Sequence, residues 1–311
     1  QDMSCLRLKL PLAHLSESLE LLHQILSPWK ISRKEFENAR LNLLTLLQQR
    51  QSQIHLWATD HFLQAVFNQH SYGNLSIGKH HEILQITEED VEWQFVELFS
   101  PENMQLMILG RFPFEETQLL AMETFAYWKP LKESTVDWQP SPQDKMIHSR
   151  RGKIQVKADL LEPFTLWGKL ILKPTTIQDV AQMAVFSTWV NQELLALAEL
   201  GFQTTFLKKG FLISLTGMFT HFPQWTEEIL SKLPQIEFES TQQTAILADL
   251  KTQCSLMSLG RTLLMWENLG FGYLAYHKYH ESIQKVQKQE LFTFAQTHFT
   301  QLHEWTCIEL T

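Results

Sequence analysis

The stretch Ile83-Leu-Gln-Ile-Thr-Glu-Glu-Asp-Val-Glu-Trp-Gln-Phe-Val-Glu-Leu-Phe-Ser-Pro-Glu-Asn-Met-Gln-Leu-Met-Ile-Leu-Gly110 decides the fold, because its pattern occurs twice. At an offset of 200 residues, Ile86, Asp90, Val91, Phe99, Met107 and Ile108 fall on Val286, Glu290, Leu291, Phe299, Cys307 and Ile308. Each copy reads as an amphipathic helix with an acidic first turn, a short break, and then a strand. Thr87-Glu-Glu-Asp90 is a capping box, in which the threonine and the acid three residues later satisfy each other's backbone N–H groups. Val91, Phe95, Val96 and Phe99 supply the apolar stripe behind it. Repeats of this kind mark related structural units.

Working outward, residues 6–12 alternate apolar and polar with period two, which predicts a half-buried strand. Leu19, Leu22, Ile25 and Leu26 then share a helical face, and that helix ends before Pro28. This strand plus helix at 6–26 resembles the strand plus helix at 211–233. Ser32-Arg-Lys-Glu35 is another capping box and opens a helix to about Arg50. A further helix is predicted over His55 to Asn68, with a loop at Ser71-Tyr-Gly-Asn, a strand at Met104 to Leu109 and a helix at Phe114 to Trp128. Residues 129–152 hold Pro130, Pro140 and Pro142 among polar residues and close on Arg150-Arg-Gly152, so they read as a linker. Beyond it come a strand over Phe164–Leu172, a helix over Thr176–Leu200 and a hairpin pairing Phe202–Leu207 with Phe211–Thr216. Helices are predicted at 222–233, 239–258, 261–276 and 287–299, and a strand at Trp305–Leu310.

Composition narrows the function. The 311 residues hold 26 Lys+Arg against 34 Asp+Glu, a formal charge of −8, which offers no basic face for nucleic acid. No apolar run reaches the roughly 20 residues of a membrane helix. Hydrophobic content of 44% suffices for a real core. Charged content of 19% is below the usual value of about 25% and points to surface covered by a neighbour. Cys5, Cys254 and Cys307 form neither a disulfide framework nor a thiolate metal site and read as reduced, buried thiols. The N-terminus, Gln1-Asp-Met-Ser-Cys5, shows no export signal. The first unit lacks the opening strand, helix and first hairpin strand that the second has, so it reads as truncated.

Several segments together resemble the insulinase/pitrilysin metallopeptidases, the inverted zincins. They are His70-Ser-Tyr-Gly73, Gly78, Ile83-Leu-Gln-Ile-Thr-Glu-Glu-Asp90, Phe99-Ser-Pro-Glu-Asn-Met104 and Ile108-Leu-Gly110. Glu199-Leu-Gly-Phe202 and Lys209-Gly-Phe-Leu-Ile-Ser-Leu-Thr-Gly-Met218 resemble a further segment of the same family. The resemblance implies an α+β fold, two-layer in each unit: two related units, each a mainly antiparallel sheet with helices packed on one face. Residues 1–128 would be a truncated first repeat, 129–152 the linker and 153–311 a nearly complete second repeat, together forming one half of a chamber around a peptide substrate.

In that family zinc is held by two histidines of an H-x-x-E-H helix and a glutamate on a later helix, a geometry that places two imidazoles on one helical face. This chain does not supply them. The corresponding helix of the second unit, Asp179 to Leu200, contains no histidine, and the place of the third ligand falls near Thr45 or Leu46. The arginine and tyrosine that the family sets against its site are matched by Leu195 and Phe202. No residue of the chain is therefore assigned a catalytic or metal-binding role, and zinc is expected in a catalytic half outside these residues.

The chain's own histidines read blandly. His277-Lys-Tyr-His280-Glu281 has the wrong order for the motif and is a solvated helix end. His80-His81-Glu82 is a polar turn before a capping box, and His298 and His303-Glu304 flank a helix-to-strand break as C-terminal cations. No GxSxG, phosphate loop or CxxC is present. Trp29, Trp57, Trp93, Trp189, Trp225 and Trp266 sit at core spacings.

The resemblance thus implies the non-catalytic portion of a zinc metallopeptidase, walling the chamber of a peptide- or protein-degrading enzyme and partnered by its catalytic half. A bacterial source, a cytoplasmic or periplasmic location, and peptide processing such as that of pyrroloquinoline quinone maturation are the expectations that go with it. Two other readings stand beside it: a catalytically dead scaffold that docks a partner, and an unrelated helix-rich α/β enzyme.

Overall fold

The computed structural model describes residues 4–27, 30–68, 70–128, 149–158, 160, 164–172, 175–193, 201–207, 210–217, 222–235, 244 and 256–311. The first part of the chain is helical: α1 (Leu15–Leu26), α2 (Arg33–Ser52), α3 (Ile54–Val66), α4 (His80–Gln85), α5 (Glu88–Leu98) and α6 (Phe114–Phe125). The second part carries β1 (Gly152–Val156), β2 (Phe164–Leu172), α7 (Ile177–Glu193), β3 (Gly201–Leu207), β4 (Gly210–Gly217) and α8 (Phe222–Lys232). It ends with α9 (Leu256–Asn268), α10 (Ala275–Lys285), α11 (Lys288–Phe299) and β5 (Thr306–Leu310).

Local chemistry sets most boundaries. Ser32 and Glu35 close the capping box of α2, Thr87 and Asp90 that of α5, and Gln287 and Glu290 that of α11. Thr176 and Asp179 make the same reciprocal bonds ahead of α7. The repeat is visible in these positions. α4 ends at Gln85 and α10 at Lys285; α5 and α11 begin at Glu88 and Lys288; each is followed by a single 3₁₀ turn, at Pro101–Asn103 and Leu302–Glu304.

Among the described residues the strands form one five-stranded sheet in the order β1-β5-β2-β4-β3, with β1 parallel to β5 and every other pair antiparallel. Both faces of this sheet are covered. Trp167 and Ile171 of β2, with Phe211, Ile213 and Leu215 of β4, meet Val180, Phe186 and Trp189 of α7 and Leu291, Phe294 and Phe299 of α11. The alternate residues Phe164, Leu166 and Leu170, with Leu212, Ile308 and Leu310, meet Ala58, Phe62 and Val66 of α3 from the first unit. Successive strand residues point to opposite faces, so a sheet buried twice needs apolar residues at nearly every position. Phe211-Leu-Ile-Ser-Leu215 is such a run.

The mixed α+β class with helices on one face of the sheet is as the resemblance implies; the second face is closed by the other unit. Four expectations are corrected. Residues 6–12 and 104–109 are not strands: among the described residues the sheet lies wholly after residue 151, and neither segment has a paired neighbour. The helix expected over 261–276 breaks after Asn268. There Gly270 at φ +83 lets the amides of Gly270 and Phe271 reach the carbonyls of Glu267 and Trp266, with the rings of Trp266 and Phe271 in contact, a left-handed helix stop. Between the linker and Phe164, where no strand is expected, lies β1, whose Ile154 and Val156 give an alternation too short to see beforehand. Trp93 and Cys5 are exposed, whereas Trp189, Trp266 and Cys307 are buried. The helix expected at 239–258 lies, apart from residue 244 and its last three positions, outside the described residues, as do residues 129–148, Trp29, Leu195 and Cys254.

Gly168 of β2 is where α3 comes closest. A Cβ there would overlap the Phe62 ring and lie 2.7 Å from the carbonyl oxygen of Ile213. On the opposite face the buried Lys169 ammonium pairs with Glu304 at 2.5 Å, and that hydrogen bond holds the Glu304 carboxyl below its ordinary value.

Two outcomes follow. Gly168→Ala should lower unfolding free energy in urea by about 1–3 kcal/mol, the usual cost of overpacking. Because the folded Glu304 pKa is depressed, the stability of its pair is present above 4.5, the ordinary value, and is lost as pH falls through the lower folded pKa. Glu304→Gln should therefore flatten the acid limb of the stability profile measured by thermal melts from pH 7 to 3.

Candidate functional site

α7 occupies the position of the expected metal-binding helix in the second unit. It presents Val180, Ala181, Met183, Val185, Phe186, Trp189 and Val190 to the core, all buried, and Phe186 packs edge-on against Phe202 at 5.5 Å. Apolar on nearly every side, it is a core helix. Phe202, matched to a polar group of the family's site, is buried in the same cluster. In α2, the Thr45 hydroxyl donates to the carbonyl of Leu41 and Leu46 is exposed.

The histidine segments stay apart. His277 and Glu281 are exposed on α10, while the His280 ring lies edge-on to Tyr276 and its Nδ1 sits 3.0 Å from the Tyr276 carbonyl. His80, His81 and Glu82 form the first turn of α4, which corrects the loop expected there. The Glu82 carboxylate accepts from the Lys79 backbone, and this lowers its pKa. His298 is in the last turn of α11, and its carbonyl accepts from Trp305 Nε1 at 2.9 Å. His303 is exposed, and Glu304 is the partner of Lys169, a role no local pattern announces. Among the described residues, no three His, Cys, Asp or Glu side chains converge on a point that fits a metal ion. Among the described residues an open cleft of about 360 Å³ between α1 and α6 has Glu20, His23 and Glu123 on walls completed by Gln24, Leu120 and Thr124.

What the geometry does offer beside α7 is a sheet edge. Among the described residues β3 is the outermost strand, and β4 covers only one side of it. The Asn191 amide of α7 bonds both backbone groups of Phe202, its nitrogen donating to the carbonyl at 3.4 Å and its oxygen accepting from the N–H at 3.3 Å. The Phe202 backbone thus points away from β4, and by the alternation of antiparallel pairing so do those of Thr204 and Phe206. Those two residues present N–H and C=O groups to an added strand, and Asn191 stands in for that strand one rung earlier. Among the described residues no helix is long and apolar enough to cross a membrane.

No family model matches the sequence, and no curated protein matches it. Solved structures do. A protease from Helicobacter pylori superposes with a TM-score of 0.77 at 18% identity, covering 96% of this chain and 77% of that one. A peptidase M16 inactive domain from Pseudomonas fluorescens gives 0.73 at 10% identity over 96% and 75%. The first half of the periplasmic protease PqqL from Escherichia coli gives 0.64 at 11% identity over 97% and 71%. The helix order, the doubly covered sheet and these superpositions agree: the chain has the fold of the M16-like peptidases, the insulinase/pitrilysin type of fold that its sequence resembles.

Proposed function

We propose that the chain is the non-catalytic portion of an insulinase/pitrilysin-type zinc metallopeptidase and forms a wall of its peptide-enclosing chamber. The observation that carries this reading is the pairing of a core-packed α7 that holds no histidine with the edge that β3 forms among the described residues. The helix that would hold metal is spent on packing, while the neighbouring strand keeps backbone groups free for an extended peptide. Zinc and the group that activates water would be supplied by a catalytic half, on the same polypeptide or on a second one. This chain's part is to bind and orient: a peptide adds to β3 through the Thr204 and Phe206 backbones, and closure against the other half excludes water.

An M16 inactive domain and a peptidase half among the structural neighbours support a two-part protein. The bacterial sources of those neighbours support a bacterial peptide-processing enzyme, and pyrroloquinoline quinone maturation is one such process. The PqqL neighbour is a periplasmic protease; for this chain the cytoplasm is the working location, tested by cell fractionation. The second reading, a scaffold that docks a partner without any catalysis, is favoured by the exposed apolar side chains of the first unit.

Purified alone, the 311 residues should bind no stoichiometric zinc and cleave no peptide in a fluorogenic assay, and the catalytic half should restore cleavage. Zinc at one per chain with cleavage by the chain itself would overturn the proposal, and a native partner with no peptidase activity would favour the scaffold. Thr204→Pro removes an outward N–H and leaves the β4 ladder intact. In the complete enzyme it should lower kcat/KM about tenfold, the loss of roughly one backbone hydrogen bond, with thermal stability unchanged.

A further inference from the structure

Among the described residues, the free side of β3 and the face of α7 beside it are the two walls of one groove. α7 runs antiparallel to β3. Asn191, near the end of the helix, bonds Phe202 at the start of the strand. The Thr175 hydroxyl, just ahead of the helix, donates to the carbonyl of Gly210, which pairs with Leu207 at the strand's end. Ile177, Ala184 and Asn191 follow one another at two-turn intervals and so stand nearly in line on α7. At about 1.5 Å per helical residue and about 3.3 Å per strand residue, Ala184 lies level with the backbone between Thr204 and Phe206, and Ile177 lies beyond Phe206.

The side chains along this groove are apolar and only half covered. Ile177, Ala184 and Phe206 pack against the rim of the core without being sealed in it. Phe206 leans on its cross-strand partner Phe211, with ring centroids 6.2 Å apart. Thr204, half-buried, sits between Phe202 and Phe206 on the same face, whereas Gln203 and Thr205 point to the other face and are exposed. β3 carries no charged residue, and neither does the line of Ile177, Ala184 and Asn191.

Resting on the reading of β3 as a peptide-binding edge, we infer that this groove selects an extended peptide with apolar side chains at alternate positions, and that Phe206 and Ala184 are its specificity-determining residues. Asn191 sets the register, because its amide already makes the two bonds that a strand would make at Phe202. The first rungs open to a ligand are Thr204 and Phe206. Residues that face each other across a sheet put their side chains on the same side. The two peptide residues opposite Thr204 and Phe206 therefore enter the groove, one beside the small side chains of Thr204 and Ala184 and the other against the Phe206 ring. An apolar side chain there leaves water at a gain. An amide or a carboxylate in its place loses water and meets no charged or donor side chain on these walls. The peptide residue between them faces the exposed side of Gln203 and Thr205, where a polar group keeps its water.

The test titrates the 311-residue chain into fluorescein-labelled peptides of the form Ser-Xaa-Ser-Xaa-Ser, blocked at both ends, and follows anisotropy. Xaa is Leu, its near-isostere Asn, or Asp. The Leu peptide should bind at least about tenfold more tightly than the Asn peptide. Phe206→Ala should shrink that ratio to below about threefold. Ala184→Lys, which keeps the aromatic wall, should put the Asp peptide ahead of the Leu peptide by pairing its carboxylate. Equal binding of the Leu and Asn peptides by the unaltered chain would sink the inference, as would an unchanged order in both variants. A chain that binds no peptide and sediments as a dimer would give the edge to a second copy, with the same result. Thr204→Pro separates this inference from the reading beneath it. If that variant loses all three peptides while the unaltered chain shows no preference among them, the edge stands and the groove's selectivity falls. If all three bind as before, the β3 edge itself is not where peptides dock.

Discussion

The contact of Phe62 with Gly168 joins the two units. α3 belongs to the first unit by sequence, yet it lies on the sheet of the second, with Phe62 pressed onto the only position in β2 that has no side chain. The sheet becomes a middle layer, helices of its own unit on one face and α3 on the other. This accounts for strands that are apolar on both sides, and for the burial of Leu166, Ile308 and Leu310, which a one-faced sheet would expose. It also makes the position of one unit a condition for the core of the other, with the Arg150 amide bonded to the Ala65 carbonyl as a second tie.

That middle layer accounts for the apolar residues along the core-facing sides of α7. α7 lies between the sheet and α10, and burial on two sides selects valine, phenylalanine and tryptophan at positions where an active relative would need imidazoles. Buried imidazoles without a metal would leave donors and acceptors unpaired at a cost of several kcal/mol. Polar groups survive at the margin of the helix: Asn191 is kept and is used to close one rung of the β3 edge.

The capping boxes at Ser32 and Thr87, the β3–β4 hairpin, the strand over Phe164–Leu172 and the 200-residue repeat were legible because each depends on residues close in sequence or on a recurring pattern. The break at Gly270 was not, because a left-handed stop is decided by three backbone bonds rather than by an apolar period. The pairing of Lys169 with Glu304 spans 135 positions and has no local signature. Leu6, Leu8 and Leu10 alternate as a strand should, yet form none, since a strand exists only where a neighbour accepts its hydrogen bonds. The absence of an H-x-x-E-H arrangement could be read directly from α7, whereas the open backbone groups of Thr204 and Phe206 appeared only once β3 was found at the edge.

By itself the sequence determined most of the helices, the β3–β4 hairpin, the internal repeat and the lack of histidine in α7, because these follow from short-range sterics, hydrogen bonding and the spacing of apolar residues. Tertiary structure alone decided that α3 covers the far face of the sheet, that β3 is an edge among the described residues, and that residues 6–12 and 104–109 form no strand. These are statements about which surfaces meet. Burial is a property of pairs of surfaces distant in sequence, and no single stretch of residues carries it.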